Sequence, residues 1–98
     1  MCGKIEYTPE KALFHLTPVK NLKSIKKNGI VSDTGKVYLT YDIDFLYDYA
    51  LQKTAELGRD VKYCLLKVDA KRLCESQKIY YKYINVFYTD NIAPGYII

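Results

Sequence analysis

Apolar residues come in short runs separated by turn chemistry, and the spacing inside each run predicts the element it forms. Leu13 to Leu16 reads as a short apolar strand. Thr17-Pro18 then offers an N-cap hydroxyl and a proline at the first helical position. The helix so predicted buries Leu22 and Ile25 and stops at Asn28-Gly29, glycine suiting the left-handed cap. Asp33-Thr34-Gly35 is a turn signal, and Lys36 to Thr40 after it is rich in strand formers. Asp42 or Thr40 can cap a second helix that runs to about Leu57, with Leu46, Ala50 and Leu57 on one face and Gly58 closing it. Val61 to Val68 is almost continuously apolar, the pattern of a central strand. Asp69 to Glu75 fits a turn or one helical turn. Lys78 to Tyr83 and Asn85 to Thr89 are two further strands, and Asn91 to Tyr96 is a closing loop. The order β-α-β-α-β-β-β, with strands gathered late, predicts an α+β domain rather than a doubly wound sheet.

Composition narrows the class. A chain of 98 residues is the size of one domain, spanning residues 1–98. Hydrophobic residues at 49% and charged residues at 27% describe an ordinary globule, and no apolar run approaches the roughly 20 residues of a membrane span. The N-terminus lacks the continuous apolar stretch of a signal peptide. Cys2, Cys64 and Cys74 are odd in number, contain no C-x-x-C pair, and have a single histidine to help them, so neither zinc nor a disulfide framework is expected. A reducing, cytoplasmic setting follows from that cysteine usage.

The formal charge of +4 mildly favours anionic partners, and it is carried by lysine, since Arg59 and Arg72 are the only arginines. Lys20, Lys23, Lys26 and Lys27 fall at helical spacing in the first predicted helix, where the plain reading is a solvated face. Eleven tyrosines and no tryptophan serve strands and cores, and the alternation of Tyr80, Tyr81 and Tyr83 turns at least one toward solvent or a cleft. His15 is the only histidine; it stands on an apolar strand with a hydroxyl two positions later, a plausible grip for a sugar or phosphate.

The run Leu13 to Val31 resembles the first motif of the ADP-ribosyltransferase superfamily, in its diphtheria-toxin-like and poly-ADP-ribose-polymerase-like branch, through His15, Thr17, Asn21, Ile25, Gly29 and Ile30. Gly35 to Thr40 is similar to that family's Gly-x-x-Tyr strand, Tyr49-Ala50 falls where its next helix presents a tyrosine, and NVFYTDNIAPGYI is similar to its last core strand and Ile-x-Pro tail. The resemblance covers Leu13 to Ile97. It implies a small split β-sheet core with two helices, NAD as substrate and no metal. It also implies that Tyr38 and Tyr49 sandwich nicotinamide while His15 and Thr17 hold the neighbouring ribose, with Thr40 among the cofactor-binding positions. His15, Tyr38 and the residue at the start of the last core strand would be the catalytic set.

That last position is Asn85, where transferases of the superfamily usually have glutamate. Cleaving the bond between nicotinamide and ribose passes through an oxocarbenium-like species, so a nearby anion is worth several kcal/mol. Asparagine can hold a hydroxyl but brings no charge. Three functions are therefore expected of such a chain. One is NAD-dependent transfer of mono-ADP-ribose to a protein or nucleic acid, weakened at Asn85. Another is a non-catalytic nucleotide- or partner-binding module that keeps the fold. The third is a relative of the RNA 2′-phosphotransferases, which rely on several arginines and an extra lobe. Each residue also has a structural use: Thr17 as a helix cap, Asn85 as a turn residue, and His15 or either tyrosine as core.

Overall fold

Sheet pairing, more than local propensity, decides how the chain is laid out. The computed structural model describes residues 5–57, 62–83 and 85–98. Strand β1, Leu13–Pro18, does not stop at Thr17 for a helix cap. Pro18 is extended at φ −59° and ψ 141°, values its ring permits, and it lies opposite Tyr63. The Val19 N–H carries the pairing one step further by donating to the Lys62 carbonyl at 2.9 Å. A 3-10 turn at Val19–Asn21 then leads into α1, Leu22–Asn28. The expected helix start is thus displaced by four residues, because a continuous partner strand outweighs a capping hydroxyl. Ile25 is the residue α1 buries, while Lys20, Lys23, Lys26 and Lys27 are all exposed.

The remaining elements are β2 (Val37–Thr40), α2 (Ile43–Leu57), β3 (Tyr63–Val68), α3 (Ala70–Leu73), β4 (Tyr80–Tyr83) and β5 (Val86–Thr89). Asp42 caps α2 by accepting from the Phe45 N–H at 3.1 Å, and Asp69 caps α3 by accepting from Arg72 at 3.3 Å. Leu46 and Ala50 lie on the sheet-facing side of α2; the Leu57 side chain, Gly58 and Val61 lie outside the described residues. The 91–96 segment is a loop ending in a 3-10 turn at Pro94–Tyr96.

Five strands form an antiparallel sheet in the order β3-β1-β2-β5-β4. The chain therefore has the α+β class expected. Strand β3 is an edge strand and not the central one its apolar run predicts. Its two apolar faces are used differently: Val68 enters the core, while Leu65 meets the underside of α2. Strands β1 and β3 pair over six positions, from Leu13 opposite Val68 to Pro18 opposite Tyr63. Strands β2 and β5 pair over four, from Val37 opposite Thr89 to Thr40 opposite Val86. Between these two ladders β1 and β2 share a single rung, Phe14 opposite Thr40. The sheet is consequently two ladders hinged at one residue pair.

One core spans both ladders. Leu13, Val37, Leu39, Val68 and Phe87 point from the strands onto Ile25, Ala70, Leu73 and Ile79, and Ile30 and Ile92 close it at one side. Ile30 and Ile92 exchange backbone hydrogen bonds at 2.8 and 2.9 Å. That bridge needs Gly29, whose φ of 81° with ψ of −169° is a mirror-extended conformation instead of the expected left-handed cap. A Cβ added there would lie 2.0 Å from the Ile92 carbonyl oxygen, a backbone atom unable to yield.

Candidate functional site

The hinge between the ladders opens into a cleft of about 570 Å³. Strand β1 contributes His15 and Thr17, which share a side of the strand because they are two residues apart. Asn21 and Ser24 come from the turn and helix that follow, Ser32 to Thr34 from the loop after Gly29, Lys36 from the residue before β2, and Val37 and Tyr38 from β2 itself. The loop is held by its own side chains. Ser32 and Thr34 share a hydroxyl contact of 3.0 Å, and the Ser32 N–H donates to Asn91 Oδ1 at 3.0 Å.

His15 occupies the place where β1 and β2 stop pairing. Its Nδ1 lies 2.8 Å from the Tyr38 carbonyl oxygen. A carbonyl can only accept, so Nδ1 carries the proton and, in the neutral ring, Nε2 is left as an acceptor. Burial pushes the His15 pKa below the usual imidazole value; the hydrogen bond to Tyr38 opposes this and is the smaller effect. The imidazole is therefore kept neutral and oriented, replacing a missing rung of the ladder. Beside it Thr17 is buried, and its Oγ1 accepts from Asn21 Nδ2 at 3.2 Å, which leaves the threonine proton available to a ligand.

Chemically the cleft offers an imidazole acceptor, several hydroxyls and one carboxylate from Asp33, with Lys36 at its rim holding its ammonium 5.0 Å from the centre of the Tyr88 ring. Such a set suits a polyhydroxylated anion: ribose hydroxyls donate to Nε2, and a phosphate takes the lysine and hydroxyls. The remaining sequence-derived residues are distributed elsewhere. Tyr38, 42% exposed, lines the cleft, but it is its carbonyl that meets His15; its ring lies 6.4 Å from that of Tyr88. Tyr49 sits on the exposed side of α2 under the Lys53 ammonium, 5.5 Å from its ring centre, and lines neither this cleft nor the groove beneath α2.

Thr40 and Asn85 come together, apart from His15. The Thr40 hydroxyl donates to the Asn85 carbonyl and accepts from the Asp42 N–H at 3.0 Å. The Asn85 side-chain oxygen accepts from the Tyr41 hydroxyl. Asn85 has φ 65° in the β4–β5 turn, which asparagine tolerates better than most residues. It faces a second, aromatic cleft of about 610 Å³ walled by Tyr7, Tyr41, Tyr81 and Tyr83. Thus His15, Thr17 and Tyr38 share one cleft, Thr40 and Asn85 tie the end of β2 to the late hairpin, and Tyr49 stands alone.

Sequence reasoning passed over Ser32, Thr34 and Lys36 as cleft residues. The stretch Ser32 to Lys36 carries a turn signal, and that local meaning masked the fact that a turn joining the two ladders must rim the space between them. No protein-family model matches the chain, and no curated protein matches it in sequence.

Proposed function

We propose that this protein is a nucleotide-binding module that takes a ribose nucleotide of the NAD or ADP-ribose type in the split-sheet cleft and does not turn it over. The observation that carries this reading is the neutral, oriented imidazole of His15, held by Nδ1 on the Tyr38 carbonyl and lining the same cleft as Thr17, Asn21 and Lys36. A ribose diol donates to Nε2 and accepts from the Thr17 hydroxyl, while the phosphates lie toward Lys36 and the Ser32–Thr34 loop. Transfer chemistry has less support. Asn85 is uncharged and engaged by Tyr41 and Thr40, and Tyr49 is on a different surface, so neither a glutamate-like anion nor a second nicotinamide wall is contributed from those positions. The free thiols of Cys64 and Cys74 fit a cytoplasmic setting, and among the described residues no helix is long and apolar enough to cross a membrane.

Thermal unfolding with and without ADP-ribose or NAD tests the reading, because a ligand held by the native state raises the midpoint according to its occupancy. At about a hundredfold excess over Kd the gain is about 2.7 kcal/mol. His15→Ala should abolish it, and wild type should release no nicotinamide from NAD. A midpoint unmoved by both ligands, or a shift that survives His15→Ala, defeats the proposal. Nicotinamide release that depends on His15 would instead establish cleavage of the nicotinamide–ribose bond in this cleft.

A further inference from the structure

Strand β4 bulges where it pairs with β5. Tyr81 lies opposite Phe87 and Tyr83 opposite Val86, so Lys82 is an extra residue between two successive rungs. Regular alternation would turn Lys82 to the face opposite Tyr81 and Tyr83. With the bulge, all three line the aromatic cleft beside Asn85, and the Lys82 ammonium stands 5.4 Å from the centre of the Tyr83 ring. A second ammonium, that of Lys11, stands 4.5 Å from the centre of the ring of Tyr41, another wall of the cleft. Solvent reaches the mouth, since Tyr81 is 46% and Tyr83 67% exposed. The core does not require this arrangement. Phe87 has one face covered by Tyr7, stacked at 3.9 Å, and is flanked by Tyr81 at 5.2 Å and Tyr41 at 5.9 Å. The Tyr83 ring packs on none of these rings and meets the Lys82 ammonium instead. The Asn85 side-chain oxygen is taken by the Tyr41 hydroxyl, which leaves the amide N–H donors for whatever enters.

We infer that this cleft binds a small planar aromatic acid, an aryl ring carrying a carboxylate. The tyrosine walls take the flat apolar body by offset or edge contact, and the Asn85 amide with the Lys11 and Lys82 ammoniums takes the anion. On binding, the ammoniums pass from the Tyr41 and Tyr83 rings to the carboxylate oxygens and free those rings for the aryl group. Tyrosine walls also suit a cationic guest, but two ammoniums stand over them already and no carboxylate lines the cleft, so a cation is repelled. Glu10 is not among the lining residues; it acts on the Tyr7 phenol, whose pKa is raised first by burial and then by Tyr81, Tyr41 and Glu10, which keeps that hydroxyl protonated. A saturated acid would satisfy the ammoniums and leave the rings without a flat partner. The volume of about 610 Å³ is that of a small-molecule site. The inference stands apart from the nucleotide-binding reading, because the two clefts share no lining residue.

Equilibrium dialysis against 2-naphthoate at neutral pH tests it. Binding should be saturable, with cyclohexanecarboxylate at least about fivefold weaker and 2-naphthamide, the same ring without the charge, about threefold weaker. Tyr83→Ser should weaken 2-naphthoate about fivefold, and Asn85→Asp, which removes the amide donors and adds a like charge, about tenfold. Lys82→Gln changes an exposed side chain and should narrow the preference for the acid over the amide, so it decides the matter if either of the other variants fails to fold. No saturable binding at millimolar probe, equal binding of cyclohexanecarboxylate, displacement by tetramethylammonium, or an unaltered preference in Lys82→Gln each overturn the inference. His15→Ala should leave 2-naphthoate binding unchanged, and a loss there would place the probe in the other cleft and overturn it too. The melting shift with ADP-ribose is read through His15, so the two proposals fail separately.

Discussion

On one side of the Phe14–Thr40 rung, β1 and β3 run together for six residue pairs and meet α2 through Leu16 and Leu65. On the other side, β2, β5 and β4 are each four residues long and bear aromatic rings on both faces: Tyr38, Tyr88 and Tyr80 outward, Phe87 and Tyr81 against Tyr7 and Tyr41 inward. The first ladder is long and mostly aliphatic, with Phe14 and Tyr63 as its aromatic members. The second is short and relies on a few large rings, each burying far more surface than an aliphatic side chain. Two ladders of different length and packing style meet at one rung, and the mismatch is what leaves room for His15 between them.

If that contrast is right, truncating the ring at the centre of the aromatic ladder should do the most harm. Phe87→Ala should cost about 4 kcal/mol in urea denaturation, and Leu65→Ala, on the aliphatic ladder where its side chain is 39% exposed, less than about 1 kcal/mol. Equal losses would dissolve the distinction. A smaller effect should come from the hinge. With its folded pKa below the unfolded value near 6.5, His15 opposes protonation of the native state, so the protein is at full strength above that pH and loses stability as the pH falls through the lowered folded value. His15→Asn keeps a donor for the Tyr38 carbonyl without an ionisable ring. It should flatten the change in urea midpoint between about pH 8 and about pH 5. A wild-type slope unaltered in the variant would show that the acid sensitivity lies elsewhere. The smallest effect is expected on α2: Tyr49→Ala should change stability by less than about 0.5 kcal/mol and leave the ADP-ribose shift intact. A lost shift would place Tyr49 at the nucleotide after all.

Much of this arrangement was legible along the chain because the signals were local. Asp42 and Asp69 cap the helices they precede, and the alternation of β2 separates Val37 and Leu39 from Tyr38. His15 and Thr17 were brought together by the family resemblance alone; that they share a side follows from β1 running on to Pro18, which the capping signal at Thr17-Pro18 concealed. What stayed hidden depended on partners distant in sequence. Whether Thr17-Pro18 begins a helix or ends a strand is decided by Tyr63, and whether an apolar strand is central or marginal is decided by where α2 comes to rest. Asn85 matches a motif by its position in the chain, yet its contacts are set by Thr40 and Tyr41, more than forty residues earlier. Tyr49 depends on the rotation of α2 about its own axis, which no short motif encodes.

The two margins of the sheet are finished unequally. Along the outer side of β4 the segment around Ile5 to Tyr7 runs as an informal selvedge, with the Tyr7 N–H on Ile79 and the Tyr81 N–H on Ile5. Among the described residues, β3 is bound off at the end near Lys67 and Val68, by Ile97 and Ile98. A strand recruited from outside, whether by assembly or by misfolding, would accordingly be knitted on beside Tyr63 to Leu66, the stretch of this border that no described residue binds off.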